Sequence, residues 1–194
     1  MGFLGWLTVG LCAVWLATEV NFSVRNRARE RSEDRDKLSL VVMRSSTVVS
    51  IAFAVSIEFA PAIVGGTGKV SALSPFLGYF GCLVMVIGLV IRLRATATLG
   101  KQFTVDVAIV QDHKIIDKGL YGIIRHPIYS GSLLTFAGLG LALENWLSLL
   151  VLLVLPAAST LYRISVEEKA LLDHFGPAYK DYMQRTKRLI PGIL

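Results

Sequence analysis

The sequence predicts an all-α, multi-pass integral membrane protein with five transmembrane helices. Three observations carry this. Apolar residues make up 54% of the 194 residues and charged residues only 18%, whereas a soluble domain is about a quarter charged. The apolar residues gather into five runs, and mean hydropathy is +0.60. Those runs are continuous and do not alternate, which excludes a β-barrel. The same composition argues against a water-soluble enzyme, a disordered chain and a disulfide-built secreted module. Length predicts a single membrane domain, 1–194, with three N-terminal helices (1–91) and a second part (92–194) holding the longest polar stretch.

The first run, Gly2 to Phe22, is about 20 residues, enough to cross a ~30 Å hydrocarbon core as a helix. No basic residue precedes it, and it is long for the apolar region of a cleaved leader. Its start, Met-Gly-Phe-Leu-Gly-Trp, lacks the Ser/Thr of a myristoylation signal. Leu40 to Val64, Leu73 to Ile91, Ile128 to Leu143 and Trp146 to Tyr162 follow. Only Glu144-Asn145 separates the last two runs, so they form an antiparallel helical hairpin. Cys12 and Cys82 each sit in an apolar run and read as small buried side chains.

Orientation follows from charge. The segment after the first helix carries seven Lys/Arg, the segment between the third and fourth carries six, and the tail six; Lys69 alone falls elsewhere. The positive-inside rule places the N-terminus outside, and the C-terminus and polar segments in the cytoplasm. Excess base on an apolar chain points to membrane lipid as partner. No basic stripe with interleaved aromatics points to nucleic acid. No G-x-x-x-G pair predicts a helix dimer.

Several polar features read as structural. Glu19 lies one turn from the cytoplasmic end of the first helix and is expected to pair with Arg25 or a neighbour. Glu58, three residues before Pro61, is expected to reach the outer interface, although a charge inside a span is a site candidate by default. Gly65-Gly66-Thr67-Gly68-Lys69 has the wrong spacing for a phosphate loop and lacks the following Ser/Thr; it is a turn. The histidines at 113, 126 and 174 are not spaced as metal ligands.

Chemistry concentrates in two segments. In His113 to Gly131, Pro127 suits the first turn of the fourth helix. Arg125 and His126 then stand at a helix N-terminus, where unpaired N–H groups favour a carboxylate. Tyr129 lines the same mouth. The alternative is an interfacial belt of Arg, His and Tyr that anchors the helix. In the tail, Arg163 and Glu167 are four apart on a helix continuing the fifth span and share a face. Leu171, Phe175, Tyr179 and Tyr182 keep helical spacing across Gly176-Pro177, which suggests two short amphipathic pieces capping the site or lying on the interface.

Arg125-His126-Pro127-x-Tyr129-x-Gly131, then Glu167-Glu168-x-x-Leu171-x-x-x-Phe175-Gly176-x-x-Tyr179-x-x-Tyr182, then Arg188-x-x-Pro191, resembles the isoprenylcysteine carboxyl methyltransferases. The resemblance covers residues 90–194. It implies a membrane-embedded helical fold with S-adenosylmethionine as cofactor, S-adenosylhomocysteine as product, and a lipophilic prenylcysteine acceptor. His113, Lys114, Ile115, Ile116, Tyr121, His126, Pro127, Ile128, Tyr129 and Glu167 match positions that hold the cofactor. Arg163 matches the position for the substrate carboxylate, and with Glu167 forms the implied catalytic pair. Relatives in the superfamily methylate phospholipid amines, and sterol reductases share a related pattern but carry Asn where this chain has Ile128. The segment Phe103–His113 is shorter than in the eukaryotic enzymes and lacks their Asn-His after the Phe. The first two helices carry no motif of the family.

The residues suit that chemistry. A carboxylate is already ionised at neutral pH and needs no general base. What remains is to align two charged groups out of water. An Arg fork can hold a carboxylate, and a Tyr face can meet a sulfonium. An amine or thiol acceptor would instead require a base, for which His126 or Glu167 is placed.

Overall fold

The computed structural model describes residues 2–25, 34–59, 76–100 and 115–192; the side chains of 23–25, 34–36 and 58–59 lie outside that description. The Glu58 side chain, the 65–69 turn, His113 and Lys114 therefore lie outside the described residues. Among the described residues, six α-helices follow in order: α1 (Phe3–Arg25), α2 (Asp34–Phe59), α3 (Phe76–Leu99), α4 (Pro127–Ala142), α5 (Trp146–Phe175) and α6 (Pro177–Arg185). A 3₁₀ turn (Gly119–Gly122) precedes α4.

Among the described residues, α1, α2, α3 and α5 are long and apolar enough to cross a membrane. The helix expected as the fourth span is shorter. At 16 residues and 1.5 Å per residue, α4 is about 24 Å long, less than a ~30 Å hydrocarbon core. Its limits are local: Pro127 starts it, and the Glu144-Asn145 turn ends it. Glu144 takes φ +53°, and the buried Asn145 side chain accepts from Leu147 N at 2.9 Å and Ser148 N at 3.2 Å. That is an N-cap for α5, and it closes the expected hairpin.

α4 is held against α3 by glycine. A Cβ on Gly88 would lie 2.6 Å from Gly131 O, and one on Gly131 would lie 2.7 Å from Gly88 O. Gly81 and Gly138 repeat the arrangement one heptad away. Small residues let membrane helices approach backbone to backbone, where packing replaces the hydrophobic drive available in water. These four glycines, paired at spacing seven, form an intramolecular seam without a G-x-x-x-G motif.

The core beside this seam contains Ala54, Cys82, Met85, Phe136, Leu139, Ala142 and Leu152, with Leu4, Leu7, Leu11 and Trp15 of α1 packed on it. Trp15 meets Phe136 edge-on at 5.3 Å. Large apolar side chains such as Phe76, Phe80, Leu83, Ile87 and Val90 of α3 point outward instead. A glycine seam between helices and large apolar side chains turned outward are the arrangement of a chain solvated by hydrocarbon, and the protein is an integral membrane protein.

Two expectations change in detail. Arg92, counted with the polar segment, is buried within α3. It forms an ion pair with Glu19, donates to Ser132 Oγ and sits 5.5 Å from the Phe22 ring centroid. Glu19 is thus neutralised from a neighbouring helix, which removes the cost of a lone charge at that depth. The tail also differs: α5 runs unbroken to Phe175, so Leu171 and Phe175 belong to the long helix and only α6 is a separate amphipathic piece.

Candidate functional site

The site forms where the start of α4, the C-terminal half of α5 and the C-terminal tail meet. Its assembly depends on a short strap. After α6, Lys187 bridges Ile124 in parallel. Arg125 N donates to Lys187 O at 2.7 Å, His126 N to Arg188 O at 3.1 Å, and Lys187 N to Ile123 O at 3.0 Å. Ser130 Oγ donates to Leu189 O at 2.7 Å. The strap fixes the Arg-His-Pro segment by its backbone, leaving the side chains for other partners. It also modifies the expected carboxylate seat, because carbonyl oxygens of Arg188 and Leu189 occupy positions against the first turn of α4.

Glu168 is the electrostatic centre. Its side chain is 5% exposed. Oε1 accepts from Arg125 Nε at 3.0 Å and faces His126 Nε2 at 3.3 Å. Oε2 accepts from Arg188 at 2.6 Å. Arg125 also donates to the carbonyls of Met183, at 3.0 Å, and Thr186. One buried carboxylate thereby joins α5, the Arg-His-Pro segment and the strap. Three cationic or potentially cationic donors offset the cost of burying it. The sequence motif contains Glu168, Arg125 and Arg188 but gives no sign that they are mutual partners.

Glu167, one residue earlier, faces the other way. Its Oε2 accepts from the Tyr129 hydroxyl at 3.0 Å and lies 3.9 Å from His126 Nδ1. The His126 and Tyr129 rings stack with centroids 5.8 Å apart. Arg163, one turn back on α5, is 1% exposed and sits beside the same Tyr129 hydroxyl. The structure therefore brings His126, Tyr129, Arg163 and Glu167 into one connected group.

Tyr121, buried in the 3₁₀ turn, borders this group. Its carbonyl accepts from Tyr182 Oη at 2.8 Å, while its own hydroxyl is buried with no hydrogen-bond partner among the described residues. Burial, reinforced by the nearby Glu167, pushes the Tyr121 phenol well above its ordinary range. Burial likewise pushes Tyr182 up to about 12. Both phenols are neutral donors at physiological pH. Pro127 is buried at the start of α4, and Ile128 is half-buried in its first turn. Ile115 and Ile116 are half-buried at the beginning of the described stretch.

These residues suit a small cationic ligand bearing polar groups. An ionisable carboxylate (Glu167) and a ring nitrogen accept hydrogen bonds, aromatic faces meet positive charge, and the orphaned Tyr121 hydroxyl can donate. A buried guanidinium next to them offers a fork for an anion. Among the described residues no cluster could hold a metal ion.

Known proteins resemble this chain. The profile of the phospholipid methyltransferase family matches residues 77–178. The chain is 35% identical over 120 residues to "Probable protein-S-isoprenylcysteine O-methyltransferase" from Oryza sativa subsp. indica, covering 61% of this chain and 63% of that one. It is 34% identical over 115 residues to protein-S-isoprenylcysteine O-methyltransferase from Saccharomyces cerevisiae, covering 58% of this chain and 48% of that one. The solved structure of a eukaryotic intramembrane Ras methyltransferase, isoprenylcysteine carboxyl methyltransferase, superposes with a TM-score of 0.58 at 30% identity, covering 77% of this chain and 52% of that one. The chain thus spans less than two thirds of the length of these relatives. The profile match takes in α3, α4, α5 and the start of α6, more than half of the chain and nearly all of the site: the chain belongs to the phospholipid methyltransferase family.

Proposed function

We propose that this protein transfers a methyl group from S-adenosylmethionine to the α-carboxylate of a C-terminal isoprenylcysteine, at the cytoplasmic face of the membrane. The observation that carries the reading is the Tyr129 hydroxyl, which ties Arg163 to Glu167. It places an anion-binding fork next to a cation-binding carboxylate, the pairing that a carboxylate acceptor and a sulfonium donor require.

When bound, S-adenosylmethionine supplies an electrophilic methyl on a positively charged sulfur and leaves as S-adenosylhomocysteine. Glu167 and His126 Nδ1 would accept hydrogen bonds from its ammonium. The Tyr121 hydroxyl would donate to one of its polar groups, and the Tyr129 ring would offer a face to its positive charge. The family resemblance implies that His113 to Ile116, Pro127 and Ile128 also bind the cofactor. Arg163 holds the acceptor carboxylate and keeps its reactive oxygen turned toward the methyl. Because that acid is ionised at neutral pH, with a free pKa of about 3.5, no residue has to take a proton. Rate enhancement comes from orientation and exclusion of water, which supply up to roughly 7–11 kcal/mol in favourable cases.

The matched family is named for phospholipid methylation, which supports one other reading. An amine acceptor must lose a proton, and Glu167 or His126 would then serve as base. One experiment separates the two. Purified protein in nanodiscs is given labelled S-adenosylmethionine with N-acetyl-farnesylcysteine or with phosphatidylethanolamine. Base-labile label on farnesylcysteine is expected. Label on the lipid amine alone would overturn the carboxylate reading.

The proposed orientation, N-terminus outside and C-terminus cytoplasmic, follows the Lys/Arg distribution. It puts the strap and Glu168 at the cytoplasmic surface. A protease added to sealed inverted vesicles should cut the tail and spare the start of α1; the reverse would contradict the orientation.

A further inference from the structure

α2 carries no motif, yet it reaches the site. Arg163 donates to Ser39 Oγ at 2.8 Å, across 124 positions of sequence. Ser39 is fully buried near the start of α2, where the chain would re-enter from the cytoplasmic side. Farther along the same helix, Ser46 and Ser159 share a 2.6 Å hydrogen bond. Buried Ser50 donates to Ser46 O at 2.7 Å. α2 thus meets α5 along a line of hydroxyls, and Ser39 is the member that touches a charge.

We propose that Ser39 is a positioning residue for the acceptor site, orienting the Arg163 fork toward the acceptor carboxylate and making α2 part of acceptor recognition. This rests on the acceptor reading given under Proposed function. A guanidinium is planar, with its N–H donors in a fixed fork, so anchoring one nitrogen sets the direction of the others. Tyr129 touches the fork from α4 and Ser39 from α2, so the plane is held from two helices. The residue type matters as well. A hydroxyl accepts from Arg163 without neutralising it. An acidic side chain at 39 would pair with the guanidinium and compete with the incoming carboxylate.

The test is equilibrium binding of N-acetyl-farnesylcysteine and of its methyl ester to the full chain in nanodiscs, which needs no turnover. Wild type is expected to bind the free acid more tightly than the ester. Ser39→Ala should narrow that preference roughly tenfold, the scale of one hydrogen bond to a charged group. Ser39→Thr should keep it and isosteric Ser39→Val should not, a pair that decides the matter if the alanine variant fails to fold. Ser46→Ala removes the Ser46–Ser159 bond and should lower the unfolding midpoint while leaving the preference intact. A wild-type preference in folded Ser39→Ala or Ser39→Val overturns the inference alone, as does an equal narrowing in Ser46→Ala. No preference in wild type overturns the carboxylate reading and the inference with it.

Discussion

The Tyr129 hydroxyl donates to Glu167 Oε2 at 3.0 Å while also contacting the Arg163 guanidinium. A residue in the first turn of α4 thereby bridges two residues one turn apart on α5. Removing that hydroxyl uncouples the two halves of the site without disturbing the ring stacked on His126. Tyr129→Phe is expected to lower kcat/KM by about 10- to 100-fold, the scale of losing a hydrogen bond to a charged partner. Methyl transfer kinetics with the unfolding midpoint as control would check this; an unchanged kcat/KM would show that the bridge is incidental.

Glu168 is expected to matter for stability first. Its removal strands Arg125, 8% exposed, beside a buried His126, and breaking a buried pair costs about 3–5 kcal/mol. Glu168→Ala should fall well below wild type in a denaturant titration. Arg188, 38% exposed, should contribute much less when replaced by Ala, since solvent screens such pairs to below ~1 kcal/mol. Equal losses in the two variants would contradict the assignment of Glu168 as the node.

The α3–α4 seam gives a steric prediction. Cβ atoms at Gly88 and Gly131 would lie under 3 Å from backbone, while Gly10 has nothing within 4 Å. Gly88→Leu and Gly131→Leu should force the helices apart, at a cost beyond the ~1–3 kcal/mol of ordinary overpacking. Size-exclusion profiles of fluorescent fusions should show monodisperse protein for Gly10→Leu and aggregate for the other two. Three identical profiles would refute backbone contact at the seam.

Alkaline behaviour follows from the tyrosines. Burial raises Tyr182 to about 12 and raises Tyr121 and Tyr179 further. A phenol with a folded pKa above its unfolded value, about 10, stabilises the fold fully below that unfolded value. The contribution is then lost as pH rises through the folded value. These groups therefore predict no loss of stability up to about pH 10 and a progressive loss from there toward about 12. Absorbance near 295 nm should show Tyr121, Tyr179 and Tyr182 still neutral at about pH 10.5 in the folded protein. Their ionisation near 10 without unfolding would contradict the burial.

Much of the fold was legible because hydrocarbon imposes a simple code: long apolar runs and a two-residue turn at Glu144-Asn145. His126, Tyr129, Arg163 and Glu167 were legible as two local patterns, Arg-His-Pro-x-Tyr and an i,i+4 pair, and their resemblance to a family joined them. Partnerships across long sequence distances were not. Glu19 with Arg92 and Arg163 with Ser39 depend on helix packing, which no local spacing encodes. The glycines at 81, 88, 131 and 138 were visible, but their spacing of seven acquires meaning only when α3 and α4 lie together. The expected run oversteps the C-terminal end of α4 by one residue because apolar Leu143 continues the run while the chain is already turning.

A cofactor site built on Glu167 is read out by calorimetric titration of S-adenosylhomocysteine into the detergent-purified full chain, with Glu167→Gln alongside. Wild type should show one saturable site, and affinity should fall at least roughly tenfold when the carboxylate becomes an amide. No binding by folded wild type, or equal binding by the variant, would contradict a cofactor site built on Glu167.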